Sequence, residues 1–525
     1  MFEIKKTDLA GRIGLIKTKN GVIETPVLLP VIHPLRQQVS TKLIKKIGFN
    51  AVMTNAYLTL LHHGEKAIDK GIHNIINFEG PIMTDSGGYQ VLEYGSVKTN
   101  PIEMAKYEEA INTDIAVVLD TPTGNTKKYY NANKTVIKSI DAAKITLKTI
   151  DQKNNILWTG PIQGGQYLTL IRKSAKEMSN LNFNIYALGS PTVIMERYDF
   201  TLLADMIYNT KINIPLNKPL HLFGAGHPLT LPISVALGCD SFDSASYMLY
   251  AKDGRYLTEN GTVQITDLTF CTCNCPICSE HKISELKTEY KNRNYELIAL
   301  HNLYQLFTEM SRIKQSIIDG RLWEYVGIKA KCHPKLWDAY RKFDKNIEYI
   351  EDGVPRFKKK AAFLTTLTDY NSPDIVRYRR KLDNITIPKN RNINIIIPNE
   401  GYPLYLSSNY KLLVNKLATH IDRIQILVLT SIGIVPIEIL DIYPISQNEV
   451  SASLLKNKKY INNLVDNLLL FINKQQKMKL TLVIKRKKYN EIINKISKKN
   501  NNIKIIKYKE FKEQVEEITE LLRDY

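Results

Sequence analysis

The chain has 525 residues, more than one ordinary hydrophobic core accommodates, which predicts at least two domains. Its 72 basic and 52 acidic side chains give a formal net charge of +20, which favours a polyanionic partner, nucleic acid before membrane. No run of eighteen apolar residues occurs and the first residues lack an apolar signal core, so we expect a cytoplasmic protein without a membrane span. The many Lys, Asn and Ile residues also fit a lysine-rich proteome, so charge alone leaves that alternative open.

The first 250 residues alternate between apolar runs typical of strands and segments typical of helices. Strands are predicted at 27–32, 49–55, 80–86, 113–120, 155–163, 184–190, 219–226 and 239–244. Asn100, Pro101 and Glu103 form a typical helix start, and residues 166–181 place apolar side chains at helical spacing. Eight strands alternating with helices predict an α/β fold, a (β/α)8 TIM barrel, over an open doubly wound sheet.

The pattern changes after residue 250. A cysteine cluster and a long helical stretch, 283–320, predict a zinc-binding insertion at about residues 265–320. We assign residues 1–355 to the barrel domain and 356–392 to a linker, because the latter are basic and interrupted by proline. Residues 393–525 alternate apolar strands with basic helices, which predicts a smaller C-terminal α/β module.

Polar residues end several of the predicted barrel strands. In such barrels the chemistry takes place at the carboxyl ends of the strands, so these positions form the candidate site. They are Asp85, Asp120, Gln163, Gly189, Ser190, residues 224–226, Asp240 and Asp243. A single aspartate there is most often a helix cap or a turn residue, but several at one barrel mouth favour a carboxylate pair that cleaves a glycosidic bond.

The first of these strand ends, "TDSGG" at 84–88, combines an aspartate with two glycines. Asp85 is short, so it meets a ligand with few rotamers to choose from. Gly87 and Gly88 carry no Cβ, so another group can come close to the backbone there, in a turn, a phosphate cradle or half of a carboxylate pair. A phosphate-binding P-loop is excluded, because no lysine followed by serine or threonine comes after the glycines.

Four of the six cysteines lie within eight residues, at Cys271, Cys273, Cys275 and Cys278. In a cytosolic chain this spacing indicates a metal site and not disulfides. Cys273, Cys275 and Cys278 with His301, on the helix that follows, make a closed tetrahedral zinc site. Such a site is structural because no position is left for water. Cys271 and His281 are alternative ligands.

Six motifs in this order resemble the tRNA-guanine transglycosylases, and among them the archaeal type. They are "MTDSGGYQ" (83–90), "LDTPTG" (119–124), "GPIQGG" (160–165), "ALGSP" (187–191), "GCDSFDSASY" (238–247) and "CTCNCPICSEH" (271–281). The resemblance covers about residues 1–350 and implies a TIM barrel with a zinc module that exchanges a base in tRNA. The stretch "SASYMLYAKDGRY" (244–256) looks archaeal. That implies guanine 15 of the D arm as the target and 7-cyano-7-deazaguanine as the incoming base, in archaeosine biosynthesis.

The resemblance also implies roles for the strand-end residues. Asp243 would be the nucleophile that forms a covalent aspartyl-ribosyl intermediate, and Asp85 the acid/base that also contacts the base. Asp120 would hold the exchanged base in a pocket completed by Gln163, Gly189 and Ser190. The family's zinc ligands match Cys273, Cys275, Cys278 and His301, which implies one structural zinc ion per chain. We expect a homodimer.

The resemblance changes in the tail. Residues 446–525 lack the Gly-rich pattern of the PUA domain with which archaeal members commonly end, and residues 393–445 are similar to a domain of archaeosine synthases. Pro398, Tyr405 and Ser408 of the synthase motif are present, but its Cys, Lys-Pro and His are not. Base exchange is therefore favoured over synthase activity on the tRNA-bound nitrile. The presence of Asp243 favours an enzyme over a non-catalytic tRNA-binding partner subunit, and we expect residues 393–525 to bind tRNA.

Overall fold

A computed structural model describes residues 2–88, 90, 98–151, 153–388, 390–399, 408–474, 478–485, 489–499, 503–507 and 509–523. The chain divides into two compact units, Met1–Val354 and Pro355–Tyr525. Each unit has its own apolar core. In the described part of the chain, no helix is both long and apolar enough to cross a bilayer.

The first unit begins with an antiparallel sheet that the sequence patterns did not predict. It consists of β1 (Phe2–Asp8), β2 (Gly11–Thr18) and β3 (Gly21–Thr25). Its strands carry many polar and exposed residues, so they lack the apolar runs that marked the later strands.

A closed barrel of parallel strands follows, which confirms the predicted (β/α)8 architecture. The barrel strands are β4 (Val27–Ile32), β5 (Val52–Asn55), β6 (Ile82–Asp85), β7 (Ile115–Val117), β8 (Leu157–Ile162), β9 (Ile185–Leu188), β10 (Leu220–Leu222) and β11 (Ser241–Ser244). Neighbours in sequence pair in parallel, and β11 closes the barrel against β4, with Asp243 opposite Leu29. All carboxyl ends of these strands therefore open at one mouth.

Helices connect and surround the barrel strands. They span Thr41–Ile47, Ala56–His63, Glu65–Lys70, Ile72–Ile76, Pro101–Ala110, Tyr129–Thr149, Leu168–Asn180, Thr192–Glu196, Phe200–Lys211, Leu231–Ala236 and Ser246–Lys252. The predicted start at Asn100 is present, because its side chain accepts hydrogen bonds from the amides of Ile102 (3.0 Å) and Glu103 (3.1 Å).

A hairpin and a helical region complete the first unit. The hairpin strands are β12 (Arg255–Thr258) and β13 (Gly261–Gln264). The helices are Pro276–Glu280, Ile283–Lys291, Glu296–Asp319, Leu322–Ala330, Pro334–Arg341 and Ile347–Glu351, with a 3-10 turn at Phe343–Asn346.

The helical stretch predicted at 283–320 is therefore two helices and not one. Arg293 adopts a left-handed backbone with φ of 60°, which a continuous helix does not allow. The side chain of Asn294 accepts a hydrogen bond from the amide of Glu296 (3.3 Å) and so satisfies the start of the second helix.

The second unit contains two sheets. A five-stranded sheet has the order β17 (Gly433–Pro436), β16 (Ile424–Thr430), β15 (Ile393–Pro398), β19 (Leu480–Ile484), β20 (Ile503–Ile506), parallel except for β16–β17. Strands β14 (Ala362–Leu364) and β18 (Asn448–Val450) form a small parallel pair. Helices span Leu367–Tyr370, Pro373–Asp383, Ser408–Leu417, Ala452–Leu455, Lys458–Lys474, Asn490–Lys499 and Phe511–Leu521, with 3-10 turns at Ala418–Arg423 and Ile437–Ile439.

The segment 356–392, which we expected to be a linker, contributes to this second unit. Leu364, Tyr370, Ile375 and Leu382 pack into its core. The apolar side chains that do so are interspersed among basic ones, and for that reason the composition resembled a linker.

Candidate active site and metal centre

The exit of β6 positions Asp85 at the barrel mouth. The other residues of this strand are buried, and Asp85 is its only partly exposed residue. Asn55, at the end of β5, donates from Nδ2 to Asp85 Oδ2 (3.0 Å) and to Gln90 Oε1 (2.9 Å). Asn55 also caps the helix Ala56–His63 through the amide of Leu58 (2.8 Å), so its orientation is fixed from both sides.

Three strand exits bring carboxylates together. Burial, and then the negative charges of Asp120 and Asp243, raise the pKa of Asp85 to about 7. Burial also raises the pKa of Asp120 to about 6, although a hydrogen bond from Gln163 acts in the opposite direction. Both shifts bring these carboxyl groups into the range in which they exchange protons near neutral pH.

The glycines of the "TDSGG" segment make room for protein groups. Gly87 has a φ of +95°, and a Cβ on it would lie 2.6 Å from Tyr57 Cβ. A Cβ on Gly88 would lie 2.2 Å from Asp120 Oδ1. Gly88 therefore lets the segment after β6 pass directly against the carboxylate of Asp120.

Gln163 is the centre of a buried hydrogen-bond network around Asp120. Its Nε2 donates to Asp120 Oδ2, and its Oε1 accepts from the amide of Thr123 (3.0 Å) and from Ser190 Oγ (3.0 Å). Gly189 lies close beside it, since a Cβ there would be 2.1 Å from Gln163 Nε2. The structure thus brings Asp120, Gln163, Gly189 and Ser190 together in one cluster.

Asp243 lies at the exit of β11 and is 9% exposed. Its Oδ1 accepts hydrogen bonds from the amide of Gly224 (2.8 Å) and from His221 Nε2 (3.0 Å). His221 is fully buried on β10, and its Nδ1 lies 2.9 Å from Ser241 Oγ. If that hydroxyl donates to Nδ1, the ring carries its proton on Nε2 and donates it to the carboxylate.

Asp240 differs from Asp243, although the sequence patterns had placed both at the strand's exit. Strand β11 begins at Ser241, so Asp240 precedes it and lies at the opposite end of the barrel. Its carboxylate pairs with Arg12 Nε (2.9 Å) and accepts from the amide of Leu220 (2.8 Å). Asp240 is therefore a buried structural ion pair and does not belong to the mouth.

Sequence patterns also missed His221 and Asn55. Both lie inside or at the end of an apolar strand, where a polar residue is usually a satisfied core group. One signal was available: His221 is a polar residue within an apolar run, two residues before the "FGAG" strand end at 223–226.

A second cluster brings Cys273, Cys275, Cys278 and His301 together. Their potential ligand atoms all lie within 4.8 Å of one another, and the group can hold a metal ion. His301 Nδ1 lies 3.3 Å from Cys278 Sγ. Its Nε2 lies 2.7 Å from the carbonyl oxygen of Leu257, a hydrogen bond that leaves the lone pair of Nδ1 directed at the sulfurs.

The elements around this cluster hold it rigidly. Cys275 directly precedes the helix Pro276–Glu280, at its N-cap position, and Tyr256 of the β12–β13 hairpin stacks on the His301 ring with 3.5 Å between the ring centroids. The two alternative ligands, Cys271 and His281, are not part of this group of four. Cys271 Sγ contacts the backbone oxygen of His281 (3.9 Å), and the His281 ring contacts Glu285 (3.2 Å).

Comparison with known proteins agrees with this geometry. Residues 8–335 match the family described as queuine tRNA-ribosyltransferase. Proteins called tRNA-guanine(15) transglycosylase are similar over most of the chain. The protein from Methanococcus aeolicus is 40% identical over 85% of this chain and 68% of its own length. The protein from Sulfolobus acidocaldarius is 38% identical over 87% of this chain and 90% of its own. The protein from Aeropyrum pernix is 43% identical over 68% and 69%. The chain belongs to the queuine tRNA-ribosyltransferase family, the tRNA-guanine transglycosylases.

Proposed function

We propose that this enzyme replaces guanine 15 in the D arm of tRNA by 7-cyano-7-deazaguanine, through a covalent aspartyl-ribosyl intermediate. The single observation that carries the mechanism is the environment of Asp243. Both hydrogen bonds that the described residues make to it end on Oδ1. The carboxylate is thus held in one orientation, and Oδ2 keeps its lone pairs for attack on C1′ of the ribose.

The first displacement forms the bond from Asp243 Oδ2 to C1′ and breaks the bond from C1′ to N9 of guanine. Asp85 gives its proton to the departing base. A pKa of about 7 supports this role, since the group is then partly protonated at neutral pH. In the second displacement the incoming deazaguanine returns a proton to Asp85, and its nitrogen expels Asp243. Protons balance over the cycle, and no nucleotide triphosphate is needed because one glycosidic bond replaces another.

The pocket wall accounts for the choice of base. As a carboxylate, Asp120 accepts hydrogen bonds from N1–H and the 2-amino group of guanine, an edge that 7-cyano-7-deazaguanine shares. Gln163 fixes Asp120, and the Gly189–Ser190 backbone lines the same wall. A buried polar wall of this kind rejects bases without the matching donors, because its own groups would be left unpaired. The target base must leave its stack to reach the pocket.

The metal centre fits one structural zinc ion. Three thiolates and an imidazole are the donor set of a closed tetrahedral zinc site, which leaves no position for water. Zinc there would join the segment of Cys273 and Cys275 and the helix Pro276–Glu280 to the helix Glu296–Asp319. It supplies folding free energy and takes no part in base exchange.

The second unit is assigned to tRNA binding and not to a second reaction. Its basic residues favour contacts with phosphates, which give affinity and register, while the barrel pocket selects the base. Of the partial synthase motif, Pro398 ends β15 and Ser408 begins a helix, while Tyr405 lies outside the described residues. The missing synthase residues argue against nitrile conversion. A homodimer in the cytoplasm is part of the proposal, and the mass of the native protein in solution tests the dimer.

One experiment tests the reaction directly. Labelled guanine is incubated with enzyme and tRNA, and label in tRNA is the expected result. A denaturing gel should in addition show an enzyme–tRNA adduct. Binding without exchange would instead indicate a non-catalytic partner subunit, and conversion of the nitrile on modified tRNA would indicate a synthase.

A further inference from the structure

Glu108 is a buried acidic residue directly behind the exit of β6. It lies on the helix Pro101–Ala110, and it is fully buried together with Thr84 and Ser86. These two residues flank Asp85 in the chain. A carboxyl group in an apolar interior is costly unless it is paired or protonated, so its partners decide its state.

Two hydroxyl groups contact the two oxygens of Glu108. Thr84 Oγ1 lies 2.8 Å from Oε1, and Ser86 Oγ lies 3.0 Å from Oε2. The other oxygens near Thr84 Oγ1, on Thr113 (3.3 Å) and Ile115 (3.4 Å), are farther away, so the Thr84 hydroxyl donates to Glu108.

The Ser86 hydroxyl has a second and closer neighbour, the carbonyl oxygen of Val117 at the end of β7. A carbonyl oxygen only accepts hydrogen bonds, and the Ser86 hydroxyl carries a single hydrogen. If that hydrogen points to Val117, the hydrogen between Ser86 and Glu108 must come from the carboxyl group.

The charges around Glu108 agree with this hydrogen count. Among the described residues, Glu108 has no ion-pair partner. Two other buried acidic residues do have one, since Asp240 pairs with Arg12 and Glu309 pairs with Lys329. Among the causes that act on the pKa of Glu108 is Asp85, an acidic group that raises this pKa further when it is ionised. Burial is the largest effect and raises the pKa of Glu108 well above its usual range, while its contacts with Thr84, Ser86 and the Val117 backbone act in the opposite direction.

We propose that Glu108 is a protonated carboxylic acid that positions Asp85: it accepts from Thr84, donates to Ser86, and through Ser86 ties the exit of β6 to that of β7. This positioning role rests on the proposed function of Asp85. The same chain of hydrogen bonds holds β6 beside the strand that leads to Asp120. Glu108 touches no substrate and acts only through its neighbours.

Two variants separate a neutral from a charged Glu108. Glu108→Gln has nearly the shape of a protonated Glu, with an oxygen that can accept from Thr84 and an NH2 group that can donate to Ser86. The rate of labelled-guanine exchange should therefore stay within about threefold of wild type. The alkaline pH limit of Glu108→Gln should also be unchanged. Glu108→Ala removes the acceptor that the Thr84 hydroxyl uses and the donor to the Ser86 hydroxyl. The loop after β6 then loses its tie to the helix, so kcat should fall about 100-fold, as for other small misplacements of a reacting group. If Glu108 were instead ionised, Glu108→Gln would remove a negative charge near Asp85 and so lower the pKa of Asp85. The alkaline limit of Glu108→Gln would then lie at lower pH than that of wild type, and this result would overturn the proposal.

Two readouts do not depend on activity, so they remain valid if the proposed reaction is wrong or Glu108→Ala fails to fold. The infrared spectrum of wild type at neutral pH should contain a protonated carboxyl band that Glu108→Gln lacks. The folded protein retains this proton above the usual Glu value of 4.5, where the unfolded chain releases it. The Tm of wild type should therefore fall relative to that of Glu108→Gln as pH rises. Absence of the band, or a Tm difference independent of pH, would show that Glu108 is ionised.

Discussion

Asp243 and Asp240 are three residues apart and have opposite surroundings. Asp243 lies at the mouth with two donors on one oxygen, while Asp240 is paired with Arg12 at the opposite end of the barrel. We expect Asp243→Asn to abolish base exchange and adduct formation while tRNA affinity stays close to wild type, because the attacking oxygen is lost and the fold is not. Activity and denaturing gels measure this.

The matched control is Asp240→Asn. It leaves Arg12 without its counter-charge and should lower the free energy of unfolding by about 3–5 kcal/mol, while the folded fraction still forms the adduct. An adduct from Asp243→Asn together with none from folded Asp240→Asn would assign the nucleophile to the wrong aspartate.

The raised carboxyl pKa values predict a narrow pH optimum. The rate should fall above about pH 7, because Asp85 loses the proton that departing guanine requires. It should fall below about pH 6, because protonated Asp120 no longer accepts from the base. The pH profile of kcat/KM measures both limits, since it reports the free enzyme.

Asp120→Asn tests the coupling between the two groups. It should weaken exchange strongly, remove the acidic limit, and move the alkaline limit of the residual activity to lower pH, because the charge of Asp120 contributes to the raised pKa of Asp85. An alkaline limit that does not move would contradict electrostatic contact between them.

The strand-end residues were predictable from sequence because each follows an apolar run. Asp85, Asp120 and Gln163 needed only the assumption of a parallel barrel. The partners that hold them were not predictable. His221 meets Asp243 and Glu108 meets Ser86 only after the barrel closes, and the distances between them in sequence follow no period.

At the level of elements, His301 of the metal centre joins the helix Glu296–Asp319 to the hairpin β12–β13, through the carbonyl oxygen of Leu257 and the ring of Tyr256. Asn302 of this helix donates hydrogen bonds to the carbonyl oxygens of Tyr247 (3.2 Å) and Arg255 (3.1 Å), which connect the helix to the segment that follows β11. Chelation should therefore unfold residues around the cluster before the barrel, which hydrogen exchange measures.

Cluster variants test the ligand set. A Cys275→Ser, His301→Ala double variant should lose the metal, because half the donors are removed. A Cys271→Ser, His281→Ala double variant should keep one zinc ion per chain, because those side chains lie apart. Metal analysis that gave the reverse result would refute the assignment.

The elements that sequence patterns misjudged share a cause. Apolar periodicity located all eight barrel strands but not the left-handed turn at Arg293, because the segments that it separates, Ile283–Lys291 and Glu296–Asp319, both have helical patterns. The signal that was available is the pair of poor helix formers on either side of Arg293, Asn292 and Asn294. Likewise, the basic side chains of Pro373–Asp383 concealed its apolar face, which packs into the core of the second unit.

At the level of the whole molecule, the two units make separable contributions. A chain cut after Val354 retains the barrel and the metal centre. It should exchange guanine with a kcat near that of wild type but with a KM at least tenfold higher, because phosphate contacts are lost. Its affinity should depend less steeply on salt, since fewer counterions are released.

The full-length enzyme measured in the same salt series is the control. Equal affinity and an equal salt slope for both proteins would show that Pro355–Tyr525 does not bind tRNA. Loss of kcat without a change in KM would mean instead that the second unit contributes to the reaction.

The closure of the barrel by β11 against β4 has a consequence for biosynthesis on the ribosome. Strand β4 emerges first among the barrel strands, and the strand that carries Asp243 emerges last. A growing chain can therefore expose Asp85 and Asp120 long before it has a nucleophile, and it must hold an open sheet edge until then. Such a nascent chain is unable to attack tRNA. A chaperone or a neighbouring nascent chain would bind at the unpaired edge of β4. Asp243 takes its place only when β11 pairs with β4, and the same pairing removes this edge.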